Sequence, residues 1–187
     1  MMKRAASAPV LPPCGGDGRQ ARGGIRAAFL LLTLLFTPIH AFAVNPDIDA
    51  ITVGVVSFSG RVIAKVRQTT TVQPAATTAA ETANKLIEQL RKDLPANYRI
   101  AGIGVAIPGQ VRHADGVVRL APHLNWVEVP FARMLQQLTG LPVYIDNDAS
   151  LGSLAERDFG AGKGFREIVY LFGSSGGIGC GLIHDGI

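Results

Sequence analysis

The chain has 187 residues, 48% of them hydrophobic, and a formal net charge of +4 at pH 7; that length holds one domain comfortably, with enough apolar residues for a core. The excess charge lies before Ala27, where five basic residues stand against one acidic residue, and the rest of the chain is neutral, so no basic stripe marks the body as a nucleic-acid binder. Cys14 and Cys180 form no CxxC pair, so neither zinc nor a disulfide is supported.

Residues 1–24 are rich in Ala, Pro, Gly and Arg without periodicity, the composition of a disordered tail. After Arg26 an apolar run over residues 27–39 leads to the small-residue pattern Ala41-Phe42-Ala43, and together these have the parts of a secretory signal. The run is shorter than the ~20 apolar residues of a membrane span, and Pro38 and His40 weaken it further. Export or membrane association follows only if that run works as a signal; the alternative is an upstream extension without an export role.

From His40 the pattern becomes regular. Residues 41–44, 50–58 and 61–67 read as three strands of a meander, the last alternating apolar and polar. Thr78 and Glu81 have the spacing of a capping box, opening a helix whose apolar face is Ala83, Leu86, Ile87, Leu90 and Leu94 and which Pro95 stops. Residues 100–107 are a near-continuous apolar strand, ended by Pro108-Gly109. A helix is predicted over 129–138, closed by Gly140, then a buried strand over 141–145 running into Asp146-Asn147-Asp148, then a helix over 149–159. Residues 167–172 open a final hairpin through a glycine-rich turn.

The order β-β-β-α-β-α-β-α predicts an α/β lobe, a mixed sheet with helices on both faces. Ligands gather at the carboxyl ends of strands in such sheets, where Pro108-Gly109 and Asp146-Asn147-Asp148 fall. The hairpin is marginal alone, and nothing follows it to cover Val169, Leu171, Ile178, Leu182 and Ile183. The expected organisation is a tail over 1–39, a first lobe over 40–165 and the truncated start of a second over 166–187.

Four segments, residues 102–111, 116–126, 141–149 and 173–181, resemble in order and spacing the ROK family of repressors, uncharacterised frames and sugar kinases. The resemblance covers roughly residues 40–187. It implies one lobe of the actin-like, ribonuclease-H-like ATPase fold, in which two lobes flank a cleft. Asn147 and Asp148 match the family's sugar-binding pair, with Asp148 at the position of the general base; Gly109 and Asn125 are further sugar contacts by resemblance. Gly173, Gly176, Gly177 and Gly179 match a phosphate loop, with Ser174-Ser175-Gly176-Gly177 in place of its usual Gly-Thr-Gly core.

Each of these has a plainer reading. Asp148 could simply cap the following helix, and the glycines could simply form a tight hairpin. Asp146 reads as structural, Trp126 as half-buried in a cover loop, and His113, His123 and His184 as surface residues without metal spacing. Family kinases carry Asp-x-Gly-Gly-Thr in the first hairpin; residues 44–51 have acids and a proline but no Gly-Gly-Thr, so ATP and Mg²⁺ are not expected. The family's zinc site would lie beyond Ile187, and no metal site is expected. The resemblance is nearest to xylose-repressor-like regulators. It implies a cytoplasmic sugar-sensing lobe that binds a small sugar or sugar phosphate, lacks a DNA-binding domain and is not an enzyme. The alternative is a ROK-type sugar kinase phosphorylating a hexose with ATP, or a non-functional relic of one. The oligomeric state is left open.

Overall fold

The computed structural model describes residues 38–174 and 177–187. Three antiparallel strands, β1 (Ile39–Pro46), β2 (Ala50–Ser57) and β3 (Val62–Thr69), open the fold as a meander. Strand β1 starts inside the apolar run, at Ile39; residues 27–37 of that run, like the tail before them, lie outside the described residues. Helix α1 (Ala76–Asp93) carries the chain back so that β4 (Arg99–Ile107) pairs parallel with β1. Helix α2 (Phe131–Thr139) leads to β8 (Val143–Asn147), parallel with β4. The five-stranded sheet therefore has the order β3-β2-β1-β4-β8, the meander-plus-crossover arrangement that the element order predicts.

One face of this sheet makes the core. Phe42, Val44, Val53, Val55, Ile103 and Val105 are buried in a single cluster with Ala83, Leu86, Ile87 and Leu90 of α1. The helical residues recur at the spacing that puts them on one stripe. Leu94 is extended before Pro95 and ends α1, because a residue preceding proline is disfavoured in the helical region.

Two helix starts differ from the sequence pattern. Thr78 and Glu81 form no capping box: α1 begins earlier, at Ala76, with no side-chain cap, and Thr78 is exposed within the helix. The start is positioned from a distance, because Trp126 Nε1 donates to Pro74 O and Gln73 Nε2 donates to His123 O, pinning the segment just before it. Helix α2 begins at Phe131 rather than residue 129, since Val129 still pairs with Val118 in a strand and Pro130 intervenes. Gly140 closes it with φ 68°, a left-handed turn that glycine adopts without strain.

A second, three-stranded antiparallel sheet has no counterpart in the sequence reading. It comprises β5 (Gln110–Arg112), β6 (Val117–Ala121) and β7 (Trp126–Val129) in that order. Its strands are too short to show periodicity, and irregular residues punctuate them: Gly116, Asn125 and Glu128 all have positive φ. Trp126 is not half-buried in a loop. It is buried in the main core against Phe131, ring centroids 4.8 Å apart.

Helix α3 (Asp148–Phe159) precedes a separate two-stranded ribbon, β9 (Ile168–Ser174) and β10 (Gly177–Ile183). The ribbon lies on α3 so closely that a Cβ at Gly179 would stand 2.8 Å from Ala149 Cβ, and one at Gly181 2.5 Å from Ala149 O. Ile183, expected to lack a partner, is buried. Val169, Leu171, Leu182 and Ile178 are exposed, as the pattern predicts. Among the described residues no helix is long and apolar enough to cross a membrane.

Candidate functional site

The three mutually parallel strands β1, β4 and β8 end on the same side, as the topology requires, and a cleft of about 390 Å³ opens there. Asn45 reaches it from the end of β1, Asp47 and Ile48 from the β1–β2 turn, Pro108 and Gly109 from the end of β4, and Asn147 and Asp148 from the end of β8. The other wall is Pro122 and His123, in a 3-10 turn between β6 and β7, with Tyr170, Phe172 and Gly177 to Gly179 of the ribbon. Of the site residues expected from sequence, Gly109, Asn147, Asp148, Gly177 and Gly179 come together. Gly173 and Asn125 do not line the cleft, and Gly176 lies outside the described residues.

Asn147, rather than Asp148, is the cap of α3. Its Oδ1 accepts from the N–H groups of Ala149 and Ser150, at 3.0 and 3.1 Å, satisfying donors that a helix leaves open at its start. Its Nδ2 donates to Gly109 O at 3.0 Å. A primary amide has two donors and two acceptor lone pairs, so Asn147 retains one N–H for a ligand and no spare acceptor. Gly109 serves this contact through its backbone: a Cβ there would stand 2.5 Å from Leu120 O, so only glycine lets β4's end approach β6 this closely.

Asp148 is the first residue of α3. One carboxylate oxygen accepts from Ala149 N at 2.9 Å, and the residue lines the cleft. Burial pushes its carboxyl above the ordinary value, the Ala149 N–H pulls the other way, and the Asp47 carboxylate adds to the rise. A half-buried carboxylate with a raised pKa is suited to accepting a proton from a hydroxyl. Asp146 points elsewhere; its Oδ1 accepts from Asn147 N at 2.6 Å and lies 3.6 Å from His113 Nε2, a structural role as expected.

The β1–β2 turn is the wall that sequence reading left without a role. Asp47 faces the cleft, but the turn's own donors are taken: Asp47 N donates to Ala50 O at 2.8 Å and Ile48 N to Asp47 Oδ1 at 2.7 Å. The acids of residues 44–51 were visible in the sequence, and only their position over the cleft was not. His123 is exposed, as expected, and also lines the cleft, whereas His184 pairs with Glu167 at 2.9 Å away from it. Asn125 instead donates to Gln73 Oε1 at 2.6 Å, a bond that turns its side chain from the cleft. Among the described residues no three His, Cys, Asp or Glu are grouped to hold a metal ion.

Comparison with known proteins identifies the family and the fold. The family model described as ROK family matches residues 48–187. A xylose repressor of Caldicellulosiruptor bescii is 43% identical over 102 residues, 54% of this chain and 25% of the repressor. A glucokinase of Thermotoga maritima is 33% identical over 135 residues, 72% of this chain and 41% of the glucokinase. The crystal structure of a ROK family glucokinase from Streptomyces griseus in complex with glucose and AMPPNP superposes with TM-score 0.66 at 25% identity, over 79% of this chain and 45% of that one. The matched stretches thus span a quarter to under a half of each relative's length.

Proposed function

Since the chain belongs to the ROK family, we propose that its body is a sugar-binding lobe of the regulatory kind, an effector-sensing module rather than a kinase. Its mixed five-stranded sheet has that family's actin-like ATPase fold, matching a little under half of the solved glucokinase. The ligand class is a pentose or hexose, held at the carboxyl ends of β1, β4 and β8. Asp148 accepts hydrogen bonds from its hydroxyls and Asn147 donates one.

The observation that carries the regulatory reading is the β1–β2 turn. A phosphate cradle needs unpaired backbone N–H groups, and the N–H groups of Asp47 and Ile48 are bonded within the turn. The turn also lacks the Gly-Gly-Thr that the family's kinases carry beside their acid, with Pro46 and Ile48 flanking Asp47. This supports sugar binding without ATP. The kinase reading has its own support in the raised carboxyl of Asp148, which fits a general base. On the regulatory reading the protein acts in the cytoplasm, and the neutral body has no sequence-specific affinity for DNA.

The test is a pair of measurements on the purified chain. Calorimetric titration with D-xylose and D-glucose should show saturable binding that Asp148→Asn and Asn147→Ala abolish. A coupled ADP assay with ATP and either sugar should stay at the blank. Turnover that disappears in Asp148→Asn would replace the regulatory reading with the kinase one.

A further inference from the structure

The cleft's two walls are chemically unequal. The sheet wall carries Asn45, Asp47, Asn147 and Asp148. On the opposite wall the polar side chains among the described residues are His123 and Tyr170. The Tyr170 hydroxyl is packed on α3, 2.9 Å from where a Cβ on Gly152 would stand. The His123 ring has no hydrogen-bond partner among the described residues, while its backbone is firmly held. Gln73 Nε2 donates to the His123 carbonyl, and Asn125 Nδ2 fixes Gln73 through its Oε1. Trp126 Nε1 ties the same turn to Pro74 O at 3.2 Å. With the backbone already ordered, only the ring's own rotation is lost when it meets a ligand.

From this we infer that His123 is a specificity-determining ligand contact, hydrogen-bonding a sugar hydroxyl from the wall opposite Asp148. The inference rests on the sugar-binding reading above and deepens it. The hydrogen-bond inventory leaves room for such a group. Hydroxyls that donate to Asp47 and Asp148 leave their own oxygens wanting donors, and Asn147 has one N–H to give. A neutral imidazole both donates and accepts, so it can engage a hydroxyl on the ligand's far side. His123 Nε2 lies 3.8 Å from the position of a Cβ on Gly177, so the ring reaches the ribbon and stands over the cleft rather than beside it. A site built to hydrogen-bond a hydroxyl rejects an analogue that lacks or inverts it, so this contact separates sugars that differ at one carbon.

The experiment uses the full chain, titrated with D-xylose and D-glucose, as wild type, His123→Ala and His123→Asn. Removing the ring should weaken binding of the preferred sugar about tenfold or more, with the ligand-free melting temperature unchanged because the side chain is exposed. Asparagine should recover part of the loss. Long-range ¹H–¹⁵N spectra should show the His123 ring nitrogens shifting when the sugar is added. Wild-type affinity in His123→Ala, with unshifted ring signals, overturns this inference while leaving the sugar reading standing. Failure of the wild-type chain to bind either sugar removes the sugar reading and this inference with it.

Discussion

Strands β1 and β9 are both apolar and both pair antiparallel with the neighbour next in sequence, yet they end in opposite environments. Phe42 and Val44 of β1 are fully or almost fully buried, whereas Val169 and Leu171 of β9 are 69% and 70% exposed. The strands themselves do not explain this. The five-stranded sheet has α1 laid across one face, and its large residues point there. The ribbon has α3 against one face only, where Gly179, Gly181 and Tyr170 meet it and Ile183 is buried, while Val169 and Leu171 alternate to the uncovered face. Burial is thus set by the layer that covers a strand rather than by the strand's own hydrophobicity.

This contrast can be broken most directly by truncating one residue on each side. Phe42→Ala should cost about 3–5 kcal/mol in urea denaturation, the usual loss for emptying a packed aromatic site. Leu171→Thr should lie within about 0.5 kcal/mol of wild type, as for an exposed position. Equal costs would mean that the ribbon's outer face is covered in solution.

Helix α3 joins the two regions, and Asn147 is the bond that sets its start. Asn147→Ala removes the cap and the tie to Gly109 O together, an expected loss of about 2 kcal/mol by the same measurement. A smaller loss would show that the ribbon's packing, and not the cap, holds α3 in place. Hydrogen exchange then sharpens the comparison within the intact chain. The bonded amides of β4, such as Ile103 N on Pro142 O, should exchange at least about tenfold more slowly than those of β9, since a two-stranded ribbon opens more cheaply than a central strand. Equal protection would place the ribbon in one cooperative unit with the sheet.

The smallest effect concerns Asp148, between the same two regions. Its folded carboxyl value is raised, so its contribution to stability is full below the ordinary carboxylate value and is lost as pH rises through the raised one. Asp148→Asn should therefore melt at or slightly above wild type at pH 7. The difference should vanish in acid, where both side chains are neutral. A mutant clearly less stable at pH 7 would mean that the carboxylate's bond to Ala149 N outweighs its burial.

Much of this arrangement was legible before any coordinates. The 3.6-residue stripe of Ala83, Leu86, Ile87 and Leu90 and the apolar runs of β2, β4 and β8 specify local structure through the periods of helix and strand. Pro95 and Gly140 mark helix ends because their backbone preferences act within one or two residues. Asn147 and Asp148 were marked by their place at a strand end and by resemblance. What local pattern could not supply was anything decided across the chain. The start of α1 follows from Trp126 and His123 holding Pro74 and Gln73, roughly fifty positions away, and a local capping-box pattern at Thr78 lost to that constraint. The small sheet β5-β6-β7 needed its turns to exist before its short strands could be seen. Asp47 belongs to the cleft because parallel pairing of β1 with β4 and of β4 with β8 gathers three strand ends at one place, and His123 because the small sheet sets its β6–β7 turn opposite them. Sequence determines which residues favour a helix, a strand or a turn, since those preferences are local energies. Which side chains face one another across a cleft is settled by strand order and packing, which are properties of the whole fold.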